Sequence, residues 1–173
     1  SNLDDVGSAS HRALAREAVA KSQVLLKNSH GLLPLEENAK VYVAGRNADD
    51  MGNQAGGWTL SWQGASGQHR IPGNTILDGI RQVAPQVTYS KDASAPVGNA
   101  DVGVVVVGET PYSEGFGDIG GPRWGFDPED AGVLREAKSL ELQPGDAAVI
   151  DTVCDAVREC VVLVVSGRPQ VIA

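Results

Sequence analysis

The stretch Val102–Val107 reads Val-Gly-Val-Val-Val-Val, and no other feature constrains the fold of this chain as tightly. A β-branched run with no polar alternation suits a strand covered on both faces, as in a parallel sheet between helices. Three shorter runs share its character: Val41–Ala44, Val87–Tyr89 and Val161–Val165. Helical spacing separates some of them. From about Thr75 to Ala84 the apolar positions are Ile76, Leu77, Ile80 and Val83. From about Asp146 to Arg158 they are Ala148, Val149, Val153 and Val157. Strands alternating with helices imply right-handed crossovers and a mostly parallel sheet. The predicted fold is therefore α/β, a three-layer α/β/α sandwich. Val171–Ala173 reads as the opening of a further strand, so the sandwich is expected to be truncated at its C-terminal end.

Ahead of the sheet, Ser10–Asn28 has helical spacing. Leu14, Ala18, Val24 and Leu25 fall on one stripe expected to be buried, Ser10 is the expected N-cap, and Asn28 with Gly31 marks the expected stop. Lys21 and Lys27 lie towards the C-terminal half, where the helix dipole favours cations. Leu32-Leu33-Pro34-Leu35 follows as an extended apolar clip, since Pro34 cannot continue a helix. The expected organisation is a linker and packing helix over residues 1–38 and one incomplete α/β unit over residues 39–173. The chain begins at Ser1, without Met or a signal-peptide pattern, and stops at Ala173 within an apolar run; both ends are expected to continue in something larger.

Composition narrows the class of function. With 173 residues, 42% apolar and 21% charged, the chain can bury a real core and is not expected to be disordered. A net charge of −8 repels phosphate backbones, so nucleic acid is not an expected partner. No apolar run approaches the roughly 18–20 residues of a membrane span. Two cysteines are too few for a disulfide framework or a four-cysteine zinc site. Cys154 and Cys160 are either two buried thiols or, in an exported protein, a short-loop disulfide. His11, His30 and His69 lie far apart, so no metal is expected. Neither Gly-x-Gly-x-x-Gly nor Gly-Lys-Ser/Thr nor Gly-x-Ser-x-Gly occurs, which disfavours nucleotide binding and esterase chemistry, and no cofactor is expected.

The eight aromatic residues are placed informatively. Tyr42 and Tyr89 sit in strands, whereas Trp58, Trp62, Tyr112, Phe116, Trp124 and Phe126 lie in two Gly-rich loops. Aromatic loops on a rigid sheet typify binding sites, and flat rings beside polar side chains suit a sugar. The competing reading is that these loops bury their own rings. In the first loop, Asn47–Pro72, spacing alone leaves open whether Trp58 and Trp62 face the same way. The second, Gly108–Gln143, is longer than an ordinary connection and is expected to be functional. Glu109 leaves the C-terminal end of the valine strand, where open α/β sheets bind ligands. Glu114 lies between Tyr112 and Phe116, partly apolar surroundings of the kind that keep a general acid protonated near neutral pH; the competing reading of either glutamate is an ordinary solvated loop charge. Asp127, Glu129 and Asp130 read as a solvated acidic face, and Glu136–Lys138 as the extension of a short helix.

The order of these motifs resembles the C-terminal α/β-sandwich domain of glycoside hydrolase family 3, in its β-glucosidase and exo-β-glucanase branch. The resemblance rests on Ala15-Arg16-Glu17-Ala18, Ser22–Asn28, Leu32–Leu35, Val43-Ala44-Gly45 with Ala48-Asp49, Gly56–Thr59 with Trp62-Gln63-Gly64, Gly108-Glu109 with Pro111-Tyr112 and Glu114, and Ser166–Pro169. It spans nearly the whole chain. It implies a retaining glycosidase acting on terminal β-D-glucosyl residues of a β-glucoside or β-glucan oligosaccharide. The active site would be shared with an N-terminal (β/α)8 barrel that supplies an Asp nucleophile.

By position in the motif, the resemblance makes Glu114 the acid/base. It makes Trp62 one wall of the leaving-group subsite, with Trp58 supporting that loop. Glu109 becomes a supporting or sugar-contacting carboxylate, and Tyr112 a further substrate-binding residue. Cys154 and Cys160 resemble a disulfide of some relatives, and a secreted or periplasmic location is expected. The loop from Gly120 to Lys138 is longer than in the plant-type members, which bears on subsite shape. The alternative is a carbohydrate-binding or interdomain module, inactive alone.

Overall fold

A computed structural model describes residues 3–67, 71–121 and 136–172. The chain divides into two compact units, Ser1–Leu35 and Glu36–Ala173. The first carries α1 (Ala9–Ser22) between short 3-10 turns. Its N-cap is Ser8 rather than Ser10: the Ser8 hydroxyl accepts from His11 N. It stops at Ser22, short of the expected Asn28. The Ser22 hydroxyl and the Gln23 amide both donate to the Val19 carbonyl, satisfying the last turn with side chains while the backbone runs extended. The expected buried stripe is also not observed, since no residue of α1 is buried and Leu14, Val24 and Leu25 are exposed. Helical spacing reveals an apolar face but not what covers it. Asn28 brackets the Leu32–Leu35 clip, its amide bonding both Leu33 O and Leu33 N.

The second unit is the α/β fold. Four parallel strands, β1 (Lys40–Ala44), β2 (Gln86–Ser90), β3 (Val102–Gly108) and β4 (Glu159–Val165), form one sheet in the order β2-β1-β3-β4. Five valines of β3 bury both of its faces, as the sequence demanded. β4 is only half-buried, contrary to the reading of Val161–Val165 as covered on both sides, and it lies outermost among the described strands. α3 (Ile76–Val83) links β1 to β2, and α5 (Pro144–Cys154) links β3 to β4. The two crossovers run in opposite directions along the sheet. Right-handed connections therefore put the two helices on opposite faces.

Thr75 caps α3 through a reciprocal bond with Asp78, and Leu77 is its buried residue. α5 carries Pro144 in its first turn and ends at Cys154, so it both starts and stops ahead of the expected Asp146–Arg158. Val153 of α5 packs with Tyr42, Ala44, Val105 and Val107 in a common core. Cys154 and Cys160 are bonded, tying the end of α5 to β4. Val171 makes an isolated parallel bridge to Glu141; Ala173, where the expected strand opening ends, lies outside the described residues.

Two glycines release the chain at the ligand edge of the sheet. Gly45 follows β1 and Gly108 ends β3, with φ of +98° and +132°, and a Cβ at either would lie 2.0 Å from a neighbouring strand's carbonyl oxygen. Only glycine makes that turn against that neighbour. Between the C-terminal ends of β1 and β3 the strand order reverses, which is where open α/β sheets form their crevices.

Candidate active site

Both Gly-rich loops leave the sheet at this reversal, and buried amides tie them together. Asn47 is fully buried; its amide donates to Glu109 O at 3.1 Å and its oxygen accepts from Asn53 at 3.1 Å. Asn53 lies on α2 (Met51–Ala55), a short helix the sequence reading did not anticipate, capped by Asp50. Arg46 anchors the base of the site, pairing with Asp146 at 2.9 Å and donating to Gly108 O and Gln143. Asp146 also accepts from Gly108 N, so the end of β3 is held on both sides.

The first loop folds sharply. Trp58 and Leu60 take left-handed φ of +59° and +63°, and Trp58 N donates to Trp62 O. This turn settles the orientation that spacing left open: the two rings lie 6.4 Å apart, tilted by 48°. Trp62 meets Phe116 edge-on at 5.4 Å, close to the favoured aromatic geometry. The rings are partly buried by one another and partly presented: Phe116 is buried, Trp62 half-buried, and Trp58 is 70% exposed. Trp124 and Phe126 lie outside the described residues, as do Asp127, Glu129, Asp130 and His69.

Glu114 stands exposed beside this aromatic group, and the Trp58 indole N–H donates to its Oε2 at 3.2 Å. Its backbone is fixed from below. The Gln63 amide oxygen accepts from Ser113 N at 2.8 Å, and its nitrogen donates to Glu114 O at 3.2 Å. The Ser113 hydroxyl donates to Trp62 O at 2.7 Å. The chain then enters α4 (Phe116–Ile119).

Glu109 is differently placed. It is buried, and both carboxylate oxygens are engaged within the chain. Oε1 accepts from Arg168 Nε at 2.9 Å, and Oε2 accepts from the Tyr112 hydroxyl at 3.2 Å. The Ser166 hydroxyl lies 2.8 Å from Oε2 and 2.6 Å from Arg168 O, able to donate to one at a time. Arg168 also pairs with Asp118 at 2.8 Å and stacks 4.8 Å above the Tyr112 ring. Burial, and then the charge of Glu109, push the Tyr112 phenol above its ordinary range. Glu136–Lys138 is not helical; Lys138 N instead donates across the loop to Asp118 O at 2.7 Å.

The structure thus brings Glu114, Trp58 and Trp62 into one group, and Glu109 with Tyr112 into an adjoining network. Gln63, Asn47, Arg46 and Arg168 were given no role by the sequence reading. The motifs Trp62-Gln63-Gly64 and Ser166-Gly167-Arg168-Pro169 were the available signals for two of them. Each carries a polar side chain inside an otherwise Gly-rich turn.

Comparison with known proteins agrees with this architecture. The family profile described as glycosyl hydrolase family 3 C-terminal domain matches residues 23–173. A lysosomal beta glucosidase of Dictyostelium discoideum is 28% identical over an alignment covering 98% of this chain and 21% of that protein. An exo-1,3/1,4-beta-glucanase from a Pseudoalteromonas species is 33% identical over 96% of this chain and 20% of its own, with a TM-score of 0.76. A beta-glucosidase from Listeria innocua, solved with isofagomine, shares the fold at a TM-score of 0.72 and 22% identity, over 98% of this chain and 22% of its own. The chain therefore spans about a fifth of the length of these relatives. It belongs to glycosyl hydrolase family 3, matching the C-terminal domain of that family.

Proposed function

We propose that this chain is the part of a retaining β-glycosidase that supplies the general acid/base and an aromatic wall for the sugar. The observation that carries the reading is Glu114. It is an exposed carboxylate on a backbone pinned by Gln63, beside the Trp58–Trp62 pair and in contact with an indole N–H. The carboxyl is presented to solvent while its position is fixed, as proton transfer to a bound substrate requires.

In this reading a (β/α)8 barrel elsewhere in the protein supplies an Asp nucleophile, with the two carboxyl groups about 5–5.5 Å apart. In the first half-reaction the Asp attacks the anomeric carbon. The glycosidic C–O bond breaks, and Glu114 gives its proton to the departing oxygen. In the second, Glu114 takes a proton from water as that water displaces the enzyme carboxylate. Trp62 stacks on the sugar in the leaving-group subsite, and Trp58 orients the carboxylate through its indole. Glu109 and Tyr112 position the loop, since Arg168, Tyr112 and Ser166 already surround the Glu109 carboxylate. The substrate class is a β-glucoside or β-glucan oligosaccharide, and the disulfide accords with a secreted or periplasmic protein.

The test is Glu114→Gln in the intact enzyme, assayed on aryl β-glucosides of graded leaving-group ability. General acid assistance is worth about 10²–10⁴-fold, so kcat/KM should fall by that order for poor leaving groups and far less for dinitrophenolate. Equal losses across the series would remove Glu114 from the role.

A further inference from the structure

We infer that Gln63 is a positioning residue for the proton transfer, its amide setting where the Glu114 carboxyl points; this rests on the reading of Glu114 as acid/base. A primary amide that is 1% exposed must be hydrogen-bonded to be tolerated. Gln63 spends its amide on the backbone that carries Glu114. It accepts from Ser113 N and donates to Glu114 O. Those two atoms bracket the backbone torsions of both residues, so holding them holds the Cα–Cβ direction of Glu114. The following Gly115, at φ of +75°, supplies no side chain to restrain that direction. Because Gln63 is bonded in sequence to Trp62, the same clamp sets the carboxyl relative to the aromatic wall.

The packing around the amide points the same way. Gly117 lies in α4, where its φ does not demand glycine, yet a Cβ there would fall 1.6 Å from the Gln63 amide oxygen and 2.5 Å from its Cδ. The absent side chain at 117 is space occupied by the clamp. Gly117→Ala should therefore push a flexible side-chain end aside and leave the backbone of the fold in place. It disturbs the amide from the opposite side to a substitution at 63 itself.

The experiment uses the intact enzyme with Gln63→Met, which keeps length but has no amide, and with Gly117→Ala. kcat/KM is measured on a dinitrophenyl β-glucoside, whose leaving group needs no proton, and on an alkyl β-glucoside, whose leaving group does. A displacement of about 1 Å in a reacting group costs up to about 10²-fold. Both variants should lose about tenfold or more on the alkyl glucoside and about threefold or less on the activated one. Combined with Glu114→Gln, Gln63→Met should cost less than about twofold further, because the proton it positions is gone. Gln63→Glu, which keeps the acceptor but faces the Glu114 carbonyl with a second oxygen, carries the test if Gln63→Met does not fold. Equal losses on both substrates, or additive losses in the double variant, would make Gln63 structural only and overturn the inference. If Glu114→Gln is leaving-group selective and the Gln63 variants are not, this inference alone falls. If Glu114→Gln is itself unselective, the acid/base reading falls and takes the inference with it.

Discussion

Arg168→Ala should open the Glu109 network, and its cost can be worked from the contacts. The guanidinium donates to Glu109 at 2.9 Å and to Asp118 at 2.8 Å, and stacks on Tyr112 at 4.8 Å. The Glu109 side chain is 9% exposed and that of Arg168 20%, so their pairing is largely out of water. Breaking a buried pair from one side costs about 3–5 kcal/mol, because the remaining charge is stranded. Hydroxyls of Tyr112 and Ser166 still solvate Glu109, which puts the expectation at the lower end. The Asp118 bond, at a 38% exposed side chain, adds at most about 1 kcal/mol. The stacking adds about 0.5–1 kcal/mol. The total is about 3.5–5 kcal/mol, or several hundred- to several thousandfold in local opening. Hydrogen exchange of residues 108–121 in the intact protein reads that opening directly. Glu109→Gln in the same background should restore part of the loss, since no charge is then stranded. A change under about 1 kcal/mol for Arg168→Ala, or strict additivity with Glu109→Gln, would refute the argument that this pair holds the loop.

The raised Tyr112 phenol has a consequence at alkaline pH. A group whose pKa is higher folded than unfolded contributes stability that is complete below the unfolded value and lost as pH rises through the folded one. Stability should thus decline above about pH 10, and Tyr112→Phe should flatten that slope in denaturant unfolding; an unchanged slope would contradict it. Replacing both Cys154 and Cys160 by Ser should cost about 2 kcal/mol, the chain-entropy value for so short a loop, and lower the thermal midpoint of the domain. An unchanged midpoint would show the link to be inconsequential.

The strands were legible because burial leaves a direct mark. The valines of Val102–Val107 have no reason to crowd together unless both faces are covered, and β3 is covered on both. β4 looked the same in sequence but is half-buried and outermost among the described strands, since composition records apolarity and not a strand's place in the order. The spacing of Ile76, Leu77, Ile80 and Val83 announced α3, though not the reciprocal Thr75–Asp78 cap, whereas α1 ended early through side-chain bonds to Val19 O that no spacing rule anticipates. At the site, Trp58, Trp62 and Glu114 stood out as unusual residues in Gly-rich loops. Their mutual arrangement did not, because it depends on left-handed φ at Trp58 and Leu60 and on Gln63 reaching about fifty residues along the chain. Asn47 and Arg168 are long-range ties of the same kind. A single polar residue in a turn does not disclose a partner about sixty positions away.

Whether Glu114 moves the proton can be read from turnover in azide. Glu114→Ala in the intact enzyme, given dinitrophenyl β-glucoside, still forms the glycosyl-enzyme but has no base to activate water. Azide attacks without needing a base. With Glu114 as the acid/base, azide should accelerate turnover and the product should be β-glucosyl azide. Turnover indifferent to azide, with glucose as the only product, would contradict it.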